Sequence, residues 1–170
     1  VVGVALGGFT SEHNISNKSG NAVFNALQKS SFDLYKVHIT RKDWSVSDRS
    51  RNVFKLNKGD FSFVKNGVSI TFDVIVNMIH GAPGENGQLA GMLELLKIPQ
   101  TSCSSYVAAL TYNKRDCLAV ARSSKIPTAR FFTLKQGNEF TIEEIEKAVG
   151  FPCFVKANRA GSSFGVSKVY

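Results

Sequence analysis

The first sixteen residues, VVGVALGGFTSEHNIS (1–16), decide how the chain is read. VVGVAL (1–6) is short, continuous and rich in β-branched residues, as a strand buried on both faces should be. Two glycines follow at once, then a carboxylate and an imidazole. A strand turning through Gly7-Gly8 into a helix brings backbone amides to a ligand. Glycine permits close approach and unusual φ/ψ, and a helix N-terminus favours an anion. The spacing is not G-x-G-x-x-G, so a dinucleotide fingerprint is not supported. Glu12 is expected in the first turn of the helix. Either Thr10 or Ser11 caps that helix and Glu12 complements its dipole, or the carboxylate grips a substrate ammonium group.

Working outward, Ile15, Ser19, Ala22, Val23, Ala26 and Leu27 recur at helical spacing and predict a helix to about Lys29. LYKVHI (34–39) alternates like a strand, which completes a βαβ unit and opens a parallel sheet. FSFVK-NG-VSITF (61–72) predicts a hairpin turning at Asn66-Gly67, decorating the sheet edge. DVIVNMI (73–79) returns to the buried-strand pattern and runs into HGAPGENG. A helix follows with Leu89, Met92, Leu93 and Leu96 on one face and Asn86 as N-cap, ended by Ile98-Pro99. SSYVAALT (104–111) reads as a short helix opened by a serine cap.

Near residue 112 the text changes, which divides the chain into 1–112 and 113–170. Asn113 to Ser124 reads as a cationic helix broken by Ile126-Pro127. ARFFTL (129–134) reads as a strand, TIEEIEKAV (141–149) as a helix with an acidic first turn, and FPCFVKA (151–157) as a strand. GSSFG then leads into a further strand, VSKVY. An opening without Met and an end in mid-sheet are the expected marks of a fragment.

Composition narrows the class. With 43% hydrophobic residues and 13 Phe, the 170-residue chain can bury a core. No apolar run approaches the roughly 20 residues of a membrane helix, and the basic n-region of a signal peptide is missing. Cys103, Cys117 and Cys153 form no CxxC pair and have no His at metal spacing, which predicts reduced cytosolic thiols with packing roles. The 21 Lys+Arg against 13 Asp+Glu give +8, favouring anionic partners. Those charges are dispersed, without a basic run, which favours nucleotide phosphates over nucleic acid.

Two further loops carry candidate chemistry. IHGAPGENGQLAG (79–91) sets three glycines beside His80 and Glu85 at the end of a strand, a ligand-facing arrangement. Alone, His80 would be a structural hydrogen-bonder and Glu85 a solvated carboxylate; their company at a second strand end points to a shared site. VKANRAGSSFGVSKV (155–169) sets Gly161-Ser162-Ser163-Phe164-Gly165 between two strands, with hydroxyls and free amides suited to phosphates and Lys156 at a strand end to meet their charge. It is no Walker A loop, since no GK[ST] follows. A plain glycine-serine hairpin turn explains it equally.

Together the three loops resemble the D-alanine–D-alanine ligase family of the ATP-grasp superfamily. Its opening, GG-x-S-x-E-x-x-[VI]-S, is matched by Gly7, Gly8, Glu12, Ile15 and Ser16, with Thr10 for the usual serine. HGxxGEDGxxQGxLELxxIPYTG is matched by His80, Gly81, Gly84, Glu85, Gly87, Gly91, Leu93-Glu94-Leu95, Ile98-Pro99 and Thr101. A later family lysine falls on Lys114. VKPxxxGSSxGxSKV is matched by Val155, Lys156, Gly161, Ser162, Ser163, Gly165 and Ser167-Lys168-Val169. The family usually has Asp at Asn86, Pro at Ala157, Tyr at Gln100 and Gly at Ser102.

The resemblance implies an α/β N-terminal, Rossmann-like domain over 1–112 and the beginning of an α+β ATP-grasp domain over 113–170. It implies that Glu12, facing the surface of a cleft, binds the ammonium of a first D-alanine. Ile15 would line the methyl pocket, and His80 would lie beside the substrate carboxylate. Lys114 and Lys156 would hold ATP phosphates, and Ser162 and Ser163 would close over the reacting centre. ATP and Mg²⁺ are the implied cofactors, with metal ligands beyond residue 170 and none within it. A cytoplasmic homodimer that joins two D-alanines for peptidoglycan is implied, with no nucleic-acid or membrane partner. Three alternatives stay open: ligation of D-alanine to D-lactate or D-serine, a non-catalytic relative that binds an amino acid or nucleotide, and an NAD-binding oxidoreductase. The last lacks both G-x-G-x-x-G and an acidic residue after the second strand, where Thr40 stands.

Overall fold

β1 (Val2–Gly7) is buried along its whole length and sits inside a parallel trio. β2 (Leu34–Ile39) pairs with it in parallel on one side and β7 (Val74–Asn77) on the other. The computed structural model describes residues 1–170, which form two units, Val1–Ala109 and Leu110–Tyr170. In the first, α1 (His13–Leu27) crosses from β1 to β2, the expected βαβ unit. β3 (Trp44–Ser47) and β4 (Val53–Lys55) extend the sheet antiparallel beyond β2, in the order β4-β3-β2-β1-β7. No expectation covered these two edge strands, which are too short and too polar to give a period-2 signal.

β5 (Phe63–Lys65) and β6 (Val68–Ile70) form the expected hairpin, with Asn66 and Gly67 at φ 52° and 79°. A two-residue turn with both φ positive matches the twist of its strands. The hairpin is a separate two-stranded sheet rather than an edge decoration, and it feeds the core. Phe61, Phe63 and Phe72 pack with Tyr35, the closest ring pair being Tyr35 and Phe63 at 4.9 Å. α2 (Gln88–Leu95) adds Leu89 and Leu93 to the same cluster, as its spacing predicts. Each such side chain contributes about 1.5–3 kcal/mol by leaving water.

The opposite face of the sheet packs on α1, through only part of the stripe read from sequence, Val23 and Leu27. Ser16, Gly20 and Phe24 are buried, whereas Ile15 is 42% exposed and Ala22 and Ala26 are exposed. Gly20 sets that rotation. A Cβ there would lie 2.5 Å from Leu6 Cβ, so only glycine lets the helix approach β1 this closely.

In the second unit, α4 (Lys114–Ser123) is capped by Asn113, whose Oδ1 accepts from Asp116 N at 3.3 Å. α5 (Ile142–Val149) opens with a capping box. Thr141 Oγ1 accepts from Glu144 N at 3.2 Å, and Glu144 Oε2 accepts from Thr141 N at 2.9 Å. β8 (Cys153–Val155) and β9 (Ser167–Val169) pair antiparallel. ARFFTL (129–134) is not a strand. Its residues are β-prone, but propensity forms a strand only where a ladder partner exists, and this unit's one ladder is β8–β9. α3 (Ser105–Tyr112) forms as read. Cys103 is exposed, against its expected packing role, while Cys117 and Cys153 are half-buried; all three are free thiols. No helix is long and apolar enough to cross a membrane.

Candidate functional site

The turn after β1 is built by two glycines with φ 106° and 98°. A Cβ on Gly7 would lie 2.5 Å from Ile39 O, so the chain can leave the strand here only as glycine. Gly8 N donates to Ile39 O at 2.7 Å and Phe9 N to Ala82 O at 2.7 Å, which ties this turn to the loop after β7. Glu12 corrects the sequence reading in two respects. It occupies the N-cap position itself, with φ −83° and ψ 2°, while Thr10, two residues before it, accepts from Glu12 N through Oγ1 at 3.3 Å. It is also only 4% exposed, so it does not face the surface.

Around Glu12 the geometry is tight. A Cβ on Gly81 would stand 2.5 Å from Thr10 Oγ1 and 2.9 Å from Glu12 Oε2. The carboxylate is therefore packed against bare backbone. Its Oε1 is buried with no hydrogen-bond partner. An orphaned buried carboxylate oxygen costs on the order of 1–3 kcal/mol or more, and a bound cation or N–H donor would remove that cost.

His80 is brought to the same place by α1. Its backbone N–H donates to Ser16 Oγ at 2.9 Å, and Ser16 Oγ lies 3.2 Å from Glu12 O, which it can donate to in turn. The His80 ring Nε2 lies 3.2 Å from Ser19 Oγ. Glu12 and His80 thus share one scaffold, as the sequence reading expects of a joint site. Ser16 stood in the matched motif without a role, and Ser19 only as a periodic helix residue; partners 64 and 61 positions away in the chain are invisible to a local pattern.

The glycine loop after β7 is held by its own polar groups. Glu85 is exposed, yet its Oε2 accepts from Gly81 N at 2.7 Å. Asn77 Nδ2 donates to Gly84 O at 3.1 Å. The N-cap of α2 is Gly87, at φ 85°, not Asn86. A Cβ at Gly87 would lie 2.4 Å from Ser105 O, so the close approach of α3 reserves the position for glycine. Asn86 Oδ1 accepts instead from Gln88 N at 3.2 Å.

The second unit holds the remaining candidates. Lys114 Nζ donates to Ala160 O, and Arg115 N donates to Asn158 Oδ1 at 2.8 Å. Asn158 Nδ2 donates to Asn113 Oδ1 at 2.8 Å, so the α4 N-terminus and the 158–160 segment are one hydrogen-bonded piece. Asn158, unmarked in the sequence reading, is the residue that joins them. Ser162, Ser163 and Gly165 have φ 48°, 59° and 68°. Phe164 N donates to Gly161 O at 2.9 Å, which closes the loop as a turn with both serine side chains exposed. Lys156 is exposed, its ammonium 5.7 Å from the Phe154 ring centre. The chain has no group of three or more His, Cys, Asp or Glu placed to hold a metal ion.

Residues 1–103 match the family model described as D-ala D-ala ligase N-terminus, and residues 120–170 that described as D-ala D-ala ligase C-terminus. The D-alanine--D-alanine ligase of Flavobacterium psychrophilum is 48% identical over 99% of this chain and 51% of its own length. The crystal structure of D-alanyl-alanine synthetase A from Vibrio cholerae superposes with a TM-score of 0.80 at 30% identity, over 99% of this chain and 51% of that one. That of D-alanine--D-alanine ligase from Bacillus anthracis complexed with ATP gives 0.69 at 26% identity, over 99% and 50%. The chain spans about half the length of the relatives it matches.

Proposed function

The chain belongs to the D-alanine–D-alanine ligase family, and from that premise we propose that its protein joins two D-alanines at the expense of ATP. The observation that carries this reading is Glu12 Oε1, a buried carboxylate oxygen with no partner. An amino-acid ammonium is a cation that this unpartnered oxygen, in a carboxylate set against the Gly81 backbone, would accept. Ile15, partly exposed beside it in sequence, would meet the substrate methyl, and His80 its carboxylate.

Residues 1–112 would serve as the substrate domain and 113–170 as the opening of the ATP-grasp domain. There Lys114 and Lys156 supply positive charge and the Ser162-Ser163 turn supplies hydroxyls and amides toward phosphates. In the reaction the γ-phosphoryl group passes from ATP to one D-alanine carboxylate, giving D-alanyl phosphate and ADP. The amine of a second D-alanine attacks that carbonyl, phosphate leaves, and the amine loses a proton as the peptide bond forms. Phosphoryl transfer of this kind needs positioning and charge neutralisation more than covalent catalysis. The Ser162-Ser163 turn would exclude water from the acyl phosphate, which hydrolyses readily. Mg²⁺ would neutralise phosphate charge when bound. By family resemblance the protein is a cytoplasmic homodimer.

The test is D-alanine-dependent ADP release by the full-length protein, with the ligated product identified, for wild type and Glu12→Gln. D-alanyl-D-alanine from the wild type is expected, with kcat/KM for the first D-alanine reduced about 100-fold or more in Glu12→Gln, the cost of removing one partner of a buried ion pair. Unchanged first-substrate kinetics would remove Glu12 from the site. Preference for D-lactate or D-serine as acceptor would keep the mechanism and change the product. No turnover from a folded protein supplied with ATP and Mg²⁺ would favour a binding protein.

A further inference from the structure

We propose that Ser19 is a positioning residue: its hydroxyl donates to His80 Nε2 and so fixes Nδ1–H as the donor that this ring offers to a substrate oxygen. The inference rests on the reading of Glu12 and His80 as the first-substrate subsite. Ser19 Oγ stands 3.2 Å from His80 Nε2, which leaves Nδ1 as the ring nitrogen to meet a substrate. Glu12, Ser16 and Ser19 follow at four- and three-residue steps, so they share one face of α1. Ser16 holds the His80 backbone and Ser19 the ring. One helix thus holds His80 at its backbone and at one ring nitrogen.

The chemistry of the ring sets the direction of the bond. A neutral imidazole carries one N–H, and the partner of one nitrogen decides the state of the other. If Ser19 donates to Nε2, the proton resides on Nδ1, which can then donate to a carboxylate or acyl-phosphate oxygen. If Nε2–H donated to Ser19 instead, Nδ1 would turn a lone pair on that same oxygen and repel it. Helix formation does not account for a serine here, since alanine is the better helix former. Nor is the hydroxyl spent on the carbonyl four residues earlier, the usual partner of a mid-helix serine.

The test is ¹⁵N NMR of the histidine-labelled, full-length protein without ligand, at a pH where the imidazoles are neutral. The chain has three histidines, and loss of signals in His80→Gln identifies those of His80. Wild type is expected to give one protonated-type signal at Nδ1 and one bare-type signal at Nε2. In Ser19→Ala the two should move toward each other as the tautomers mix, and in Ser19→Thr, which keeps the hydroxyl, they should return. In parallel, kcat/KM for the first D-alanine should fall about tenfold in Ser19→Ala, the worth of one hydrogen bond, and recover in Ser19→Thr. His80 signals identical in wild type and Ser19→Ala, or a wild type protonated at Nε2, would overturn the inference. The expected signals from a protein that does not use D-alanine would overturn the substrate and leave the Ser19–His80 bond standing.

Discussion

The two units of this chain are built by different means. In Val1–Ala109 a five-stranded sheet is packed on both faces, by aromatic rings on one side and by α1 on the other. In Leu110–Tyr170 the only buried residue is Asn113, a polar cap, and neither α4 nor α5 buries a side chain. Order in the first unit comes from surfaces pressed together. In the second the contacts this chain supplies are hydrogen bonds: two of them local, the Asn113 cap and the Thr141–Glu144 box, and one, the Asn158 bridge, spanning 45 positions. The candidate residues follow suit. Glu12 is buried against the Gly81 backbone and His80 is held by hydrogen bonds from a distant helix, whereas Lys114 donates to Ala160 O and Lys156 stands exposed.

Substitutions can break this contrast. Gly20→Val should have the largest effect, about 3 kcal/mol of lost stability in urea unfolding, because its branched side chain would enter the space of Leu6. A loss below about 0.5 kcal/mol would mean that α1 is not held against β1 this tightly. Thr141→Ala should cost about 1 kcal/mol, confined to α5, and read as faster amide exchange along that helix with β1 unaffected. Slower opening, or an effect as large as that of Gly20→Val, would show that α5 is held by packing and not by its cap.

The smallest effect sharpens the picture of the first unit through pH. Burial, and then the charges of Lys36 and His13, hold the His38 imidazole below its ordinary pKa. The unfolded chain therefore binds the proton first. The stability that His38 contributes by staying neutral is complete above the ordinary value of about 6.5 and is lost as pH falls toward its lower folded value. His38→Gln should flatten the fall in urea midpoint between about pH 7.5 and 5.5. An unaltered slope would assign the fall to other groups.

Much of this was legible in the residues themselves. The buried β1, the βαβ unit, the turn at Asn66-Gly67, the faces of α2 and the acidic start of α5 all follow from short-range patterns, and so does the family, whose signatures are local spacings. Those patterns encode φ/ψ preference and periodicity, which a segment carries with it. Only the tertiary structure decided which side of α1 is buried, because that depends on Leu6 meeting a residue without a side chain. It also decided that Glu12 is buried with one oxygen unpaired, that Ser16 and Ser19 hold His80, and that ARFFTL finds no ladder. Burial and pairing belong to two surfaces at once, and a sequence window contains only one of them.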